Sequence, residues 1–524
     1  TTLAATSITS TSAVLNGTVR ANGANADVWF RYFSPGVEGL NATPAPALVT
    51  GTATTPVSTT VTGLLPGTQY TFAVRATNAF GDGSWGNLTF TTLPDPAVGG
   101  LAEPLTVPVT GGALYGSLIQ PDGRTILFGD FTSVHGTAQG RMARLLPNGT
   151  LEGGLGFNPG ANGPITCAAL LADGKIMIGG NFTTLQPRGT GPVFPRSRLA
   201  RLLSDGTVDT SFGDPGVNAF VLCLAVQPDG AVLVGGDFNG TASFMGATRS
   251  GIARITPAGT LDIAFNPNVL GTIYSMALQP DGNVLVGGDF FQVSFPSRAF
   301  LARLNRTSGQ VDPSFSPALD SVVSSVVSQR DGRALVAGGF RQINGISRNY
   351  LARLNSDGSL DPTFDPNPNN EVLALALQAN QKLLIGGSFT SVAGTPRSKV
   401  ARLDTTGALD GFNPNVTGGD VRSIALQADG KAQLAGSFTA INGGAAARSG
   451  YALLNNETAY QTLEKRSATE LFWSRGGSAP EVLSVTFEQA TFIGTTFTPI
   501  GNGTRVNPLA GDWSLTGITP SLPL

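Results

Sequence analysis

A chain of 524 residues has room for roughly three or four domains. Lys and Arg number 32 and Asp and Glu 34, for a net charge of −2, and charged residues make up only 13%, against a usual ~25%. So neutral a balance excludes the basic footprint of a nucleic-acid binder or of a protein drawn to an anionic membrane. One His and two Cys exclude most His-based catalysis and Cys/His metal sites, so no cofactor or metal is expected. No apolar run reaches the ~18 residues of a membrane-spanning helix. With 41% hydrophobic residues and 29 Phe, the chain has ample material for packed cores.

The first elements in chain order are strands. Ala13–Val19 and Val28–Tyr32 alternate in polarity, and a third alternating run extends from Gln69 to Asn78. Gly63-Leu64-Leu65-Pro66-Gly67-Thr68-Gln69-Tyr70-Thr71-Phe72-Ala73-Val74 continues to Asn78 in a pattern that resembles a fibronectin type III domain, with Tyr70 as the tyrosine of the sandwich corner. Residues 1–97 are therefore expected to form a fibronectin type III-like β-sandwich, closed by a stiff Leu93-Pro94-Asp95-Pro96 linker.

A repeat then dominates the chain. Leu278–Phe290, LQPDGNVLVGGDF, has six partners, and the Phe positions (131, 182, 238, 290, 340, 389 and 438) are spaced by about 51 residues on average. Downstream of each Phe stands Ala-Arg-Leu or Ala-Arg-Ile, with Arg144, Arg201, Arg254, Arg303, Arg353 and Arg402; the seventh unit reads Ala452-Leu453-Leu454. A third block, G-x-L-D-x-x-F-x-P, supplies Asp209, Asp262, Asp312, Asp361 and Asp410, with Glu152 in the first unit. Within a unit, Val269–Leu278, Asn283–Val286, Phe300–Leu304 and Gly309–Val311 read as four short strands. They are separated by turn signals such as Gln-Pro-Asp-Gly. Four strands of ~5–6 residues with their turns fill ~50 residues. Tandem four-stranded units of this length predict a seven-bladed β-propeller over 98–455, in which each blade buries its faces on its neighbours. The first strand carries a column of small residues, Gly116, Cys167, Cys223, Ser275, Ser325, Ala374 and Ser423, suited to a crowded axis.

The Q-x-D-G … G-G-x-F … A-R-L … D-G-S-L-D-x-x-F pattern, clearest at Leu351–Phe364, resembles the delta-sixty-repeat family of bacterial β-propellers. The resemblance covers Leu101–Asn455. It implies a secreted or surface-anchored bacterial protein and supplies no catalytic site. The sixth unit loses Asp-Gly (Ala379-Asn380-Gln381), and the seventh loses the Ala-Arg-Leu arginine. Residues 456–524 read as a small C-terminal β domain, incomplete on its own, with strands at Glu470–Ser474, Val482–Phe487, Phe497–Ile500 and Trp513–Thr516 and a turn at Gly501-Asn502-Gly503. It resembles the small β domain that follows such propellers. The fold class is all-β throughout.

Repeated residues read as structural. The Asp of Asp-Gly, such as Asp229 and Asp281, is a turn former, and isolated Asp cannot give calcium its 6–8 oxygens. Arg201, Arg254, Arg303, Arg353 and Arg402 are expected to pair with Asp209, Asp262, Asp312, Asp361 and Asp410 of their own or an adjacent blade. A second column, Arg196, Arg249, Arg298, Arg348, Arg397 and Arg448, is expected to act likewise, rather than as a basic ring for anionic sugars. Cys167 and Cys223 read as small core thiols. Departures from the repeat say more. Longer segments between Phe and Ala-Arg-Leu place insertions at Leu185–Phe194 and Asn239–Thr248. Leu185, Pro187, Phe194, Phe244 and Met245 are candidate contact residues there.

No nucleophile motif, isolated carboxylate pair or His cluster escapes the repeat, so no catalytic residue is assigned. Low charge and abundant Thr, Asn, Gly and Ser suggest a secreted or cell-surface, non-catalytic structural protein of bacterial type. Such a protein is an adhesin or the subunit of a self-assembling layer or filament, partnered by its own copies or other surface proteins. The alternatives are a glycan-binding module and, least favoured, a propeller hydrolase.

Overall fold

The computed structural model describes residues 1–8, 12–34, 37–64, 68–83, 86–92, 103–153, 156–293, 297–467, 469–489, 498–506 and 511–517, and their regular structure is almost entirely β. Near the N-terminus two antiparallel sheets enclose one core. Thr2–Thr6, Ser12–Arg20 and Thr54–Thr62 form the first; Val37–Ala42, Ala26–Ser34 and Gln69–Asn78 form the body of the second. Alternation along Ser12–Arg20 sends Ala13, Leu15 and Val19 inward, where they join Phe30, Phe72 and Phe90. Tyr70 is buried against the Phe90 ring at 5.6 Å. The Leu93–Pro96 linker reading lies outside the described residues.

Seven consecutive units follow among the described residues, each with a three-stranded antiparallel core. In the third unit the strands are Val221–Val226, Val232–Gly236 and Ile252–Ile255, in that spatial order. Asp229 shapes the first turn by accepting a hydrogen bond from the Ala231 N–H at 3.0 Å, while Gly230 takes φ 84°. The first five positions of the middle strand are buried in all seven units, because sheets cover both its faces. That is why it reads as an unbroken apolar run (Leu233, Val234) rather than an alternating one. The first strand of each unit packs against the first strand of the next, and Thr417–Leu426 of the last packs against Leu114–Ile119 of the first.

Close approach between sheets rests on glycine. A Cβ on Gly287, in the middle strand of the fourth unit, would stand 2.6 Å from Val323 Cγ1 of the fifth. In the first unit Phe128 occupies the corresponding place, and the small-residue column answers with Gly116, whose added Cβ would lie 2.5 Å from Phe128 Cζ.

Two details differ from the expected unit. The fourth strand is a single bridge to the third, such as Ile255 to Leu261. It stops there because Asp262 turns the chain by accepting from the Ala264 N–H at 2.9 Å. The fourth and seventh units extend their first two strands to ten residues, Val269–Leu278 with Val284–Val293 and Thr417–Leu426 with Ala432–Ile441.

Beyond the seventh unit, Ala459–Ser467, Glu470–Gly477, Trp513–Thr516 and Thr504–Arg505 form a four-stranded sheet, accompanied by a hairpin of Thr486–Gln489 and Thr498–Asn502. The Val482–Phe487 strand expected here begins only at Thr486, because Glu481 and Val482 are held by side chains of the neighbouring unit and of Arg505. Gly501 and Asn502 belong to a strand instead of a turn: they pair with Phe487 and Thr486. Phe497 lies outside the described residues.

Candidate functional site

The repeated charged side chains form one motif, built six times. Arg353 donates from Nε to Asp361 Oδ2 at 2.8 Å and from Nη1 to the Thr405 carbonyl of the following unit at 2.6 Å, with its guanidinium 4.6 Å over the Phe364 ring. Arg144 repeats this with Glu152 (2.6 Å), Ser204 O (2.5 Å) and Phe157. Arg303 does so with Asp312 (2.9 Å), Ser356 O (2.5 Å) and Phe315. Arg254 reaches Asp262 (2.9 Å) and the Thr307 carbonyl (2.8 Å). Arg201 pairs with Asp209 and Arg402 with Asp410, each at 2.7 Å, and Arg402 also donates to Asn456 Oδ1. In Arg144, Arg254, Arg303 and Arg353 the A-R-L arginine thus ties its own acid to the next sheet through a charge-assisted bond and a stacked aromatic face, while Arg201 bonds Asp209 and Ser211 of its own unit.

Four of these acids, Asp209, Asp262, Asp312 and Asp361, are held below the ordinary carboxylate range. Burial alone would raise Asp361, but hydrogen bonds from Thr363 and Arg353 outweigh it and bring it down to about 2. Asp209, Asp262 and Asp312 are lowered in the same way, against their own burial, by a side chain or backbone N–H two residues on and by their arginine. The second arginine column makes a different contact from the one expected. Arg249, Arg298, Arg348 and Arg397 donate from Nη2 to backbone carbonyls of the L-D block at 3.0–3.3 Å, filling acceptors that the one-bridge fourth strand leaves open. Cys167 and Cys223 are free thiols. Burial pushes Cys167 up to about 12, and burial followed by Cys167 raises Cys223, so neither is a thiolate at neutral pH.

Of the five insertion residues, Leu185 and Phe244 are fully buried members of the cores of units two and three and cannot be contact residues. Leu185 pairs with half-buried Phe194 in a small hairpin, and Phe244 packs 5.2 Å from Phe238. The longer loop folds back over its own sheet and so buries the apolar residues that an insertion would otherwise present at the surface. Pro187 and Met245 are half-buried, and Val193, in the second-unit insertion, is 56% exposed.

Three groups carry the joints that sequence reasoning passed over. Glu103 donates its N–H to Leu453 O at 2.8 Å, accepts Arg448 Nη2 on its carbonyl at 2.8 Å and pairs with Lys431 at 3.0 Å. It therefore supplies, from before the first unit, the acid that the seventh lacks. Leu101-Ala102-Glu103-Pro104 is a degenerate copy of Leu-Asp-Pro, and that was the available signal. The other two are Arg330 and Glu481. Arg330 stands in the fifth turn where other units have Pro or Ala, and it meets Glu481 of the C-terminal region at 2.5 Å. Beside it, the sixth turn pairs with the same segment: Ala379 N–H donates to Ala479 O at 2.7 Å, Asn380 N–H to Gly477 O at 3.1 Å and Gln381 Nε2 to Glu481 Oε2 at 2.9 Å. The loss of Asp-Gly at 379–381 thus marks a docking turn.

Against this geometry, six segments of the chain, residues 120–153, 171–212, 227–265, 279–315, 329–364 and 378–411, match the family model described as a domain of unknown function (DUF5122) beta-propeller. The repeated sheets are those of a β-propeller. Each matched segment runs from the turn before a middle strand of the propeller to the L-D block, so it spans both ends of the arginine clamp. The WD40 β-propeller domain of Doa1 is similar at 11% identity, over 66% of this chain and 95% of that one, with a TM-score of 0.41. The sensor domain of the anti-sigma factor RsgI4 in Pseudobacteroides cellulosolvens is 28% identical over 18% of this chain and 90% of its own, TM-score 0.14. The cycloalternan-forming enzyme from Listeria monocytogenes is 11% identical over 55% of this chain and 21% of its own, TM-score 0.14. No curated protein matches the chain.

Proposed function

We propose that this chain is a non-catalytic structural protein of a bacterial surface or secretion, acting as an adhesin or as the subunit of a self-assembling layer or filament. In this reading the seven consecutive units are the blades of one closed propeller of the delta-sixty-repeat kind. The N-terminal pair of sheets is a fibronectin type III-like spacer, and the C-terminal region is a small domain seated on the fifth and sixth blades. The observation that carries it is the clamp. The charged residues that recur in the repeat are engaged in joining one sheet to the next, through contacts such as Arg353 to Asp361 and Thr405 O, which is the chemistry of a stiff scaffold. Closure is supported by contact between first and last strands and by Glu103 on the seventh sheet.

Analytical ultracentrifugation of the full chain tests assembly. Concentration-dependent oligomers or polymers are expected, and Val193→Asp, on the exposed part of the second-unit insertion, should shift them toward single chains. Deleting the insertions is the wrong test, since Leu185 and Phe244 would leave holes in two cores. A single-chain species at every concentration would overturn the assembly reading.

A further inference from the structure

Two exposed patches, one on the propeller and one on the N-terminal sheets, are both aromatic and carry opposite charge. On the propeller, the fourth unit has Phe291, 69% exposed, at the position after Gly-Gly-x-Phe where the other six units have Thr, Asn or Arg. Phe291 is the extra residue of a bulge between the Gly271–Phe290 and Leu270–Gln292 pairs, and so stands outside the ladder. Tyr274 sits at a second bulge of the same sheet, between Ile273 and Ser275. It is 38% exposed, and Phe220 of the third unit 41%. Two acids lie among these rings. Asp289 faces Thr272 across the ladder, and Thr272 Oγ1 donates to Asp237 Oδ1 of the third unit at 2.9 Å. Asp237 donates its N–H to Phe220 O at 2.9 Å. Burial, then Asp289 and Asp237, raise the Tyr274 phenol, so this ring stands in the field of both carboxylates.

Elsewhere at this end of the sheets, a basic residue three places before the Ala-Arg-Leu arginine neutralises an acid. Arg141 pairs with Asp130 at 3.2 Å, and Lys399 with Asp420 at 3.3 Å. The matching positions of units three and four are Gly251 and Phe300, and among the described residues no Lys or Arg pairs with Asp237 or Asp289. The N-terminal sheets present the complement. In Ala26–Ser34 the outward row is Asp27, Trp29, Arg31 and Phe33, because Val28, Phe30 and Tyr32 point into the core. Arg31 is exposed and in no ion pair among the described residues, and Phe33 beside it is 38% exposed. The outer row of Ser12–Arg20, on the other sheet, holds no aromatic residue. Exposed aromatic clusters beside charge mark protein contacts, where aromatic residues and Arg are enriched.

We propose that these two patches bind one another between copies of the chain: the Trp29–Arg31–Phe33 row of one copy lies on Phe220, Tyr274 and Phe291 of the next, with the Arg31 guanidinium between Asp237 and Asp289. The inference rests on the assembly reading and names the surfaces that carry it. Because the two surfaces differ, the contact is head-to-tail and leaves a free patch at each end for a further copy. Sedimentation velocity on variants of the full chain tests it. Arg31→Glu and Asp289→Arg should each weaken self-association about tenfold or more, with an unchanged melting temperature, since both side chains are exposed. An equimolar mixture of the two variants should regain the association of the parent chain, because every contact again joins opposite charges. Phe291→Ser should weaken association without touching a charge. Arg31→Cys combined with Asp289→Cys should crosslink one chain to another. A parent chain that stays single at every concentration would overturn the assembly reading and this docking with it. A parent that assembles while both charge variants assemble equally well, or while mixing them restores nothing, would overturn the docking alone. Crosslinking confined within one chain would do the same, by assigning the propeller patch to the chain's own N-terminal sheets.

Discussion

At the scale of single residues the repeat is an electrostatic device. Arg353 is 4% exposed and joins Asp361, the Thr405 carbonyl and the Phe364 ring, so Arg353→Ala would leave the buried Asp361 with only the partly exposed Arg333, 3.2 Å away, as its cation. The expected cost is about 1.5–3 kcal/mol, read as a fall in the denaturation midpoint. Arg353→Met combined with Asp361→Asn should recover most of it, because the buried charge goes with its partner while the turn cap to Thr363 stays. The same acids set a pH limit. Asp361, held at about 2, sits below the ordinary carboxylate value of ~3.9, as do Asp209, Asp262 and Asp312 in direction. A group depressed on folding adds stability that is fully present above its unfolded value and is lost as pH falls through the folded one. Melting temperature should therefore hold down to about pH 4 and drop steeply between about pH 4 and 2; a flat profile there would mean the clamps contribute nothing.

Among elements, the joints matter more than the sheets. Each sheet is a local product of its own ~50 residues, whereas the seventh is finished by Glu103, which lies about 350 positions upstream of Leu453. Glu103→Pro removes the N–H donated to Leu453 and the carboxylate beside Lys431 together. It should cost about 1–3 kcal/mol, with amide exchange rising along Tyr451–Leu454 while Leu301–Leu304 stays protected. Uniform exchange across both strands would show that Glu103 is not a local latch. The insertions teach a related lesson. Leu185 and Phe244 read as loop residues because periodicity ends at Gly-Gly-x-Phe, yet an aromatic in a long loop has somewhere apolar to go when the loop can fold back on its own sheet.

For the whole molecule, the C-terminal region and the propeller are one surface. The fifth and sixth turns depart from the repeat where they meet residues 477–481. Arg330→Gln removes a guanidinium that is nearly inaccessible, leaving Glu481 to Arg505 and Gln381. Limited proteolysis should then release a fragment ending near residue 456 faster than from the parent chain, with the propeller core resisting as before. Equal rates would show that the strand-like pairing at Ala379 and Asn380 holds the joint alone.

The sequence by itself determined the β class, the ~50-residue unit, its turns and the partners of the A-R-L arginine, because each depends on residues close in sequence and repeated six or seven times. A single copy of Gln-Pro-Asp-Gly or Gly-Gly-x-Phe is a weak signal, and repetition makes it unambiguous. What only the tertiary structure decided depends on pairs that occur once and far apart: Glu103 with the seventh sheet, Arg330 with Glu481, and Gly116 making room for Phe128. Their chemistry is ordinary hydrogen bonding, ion pairing and packing, but no periodicity announces which distant residue completes it.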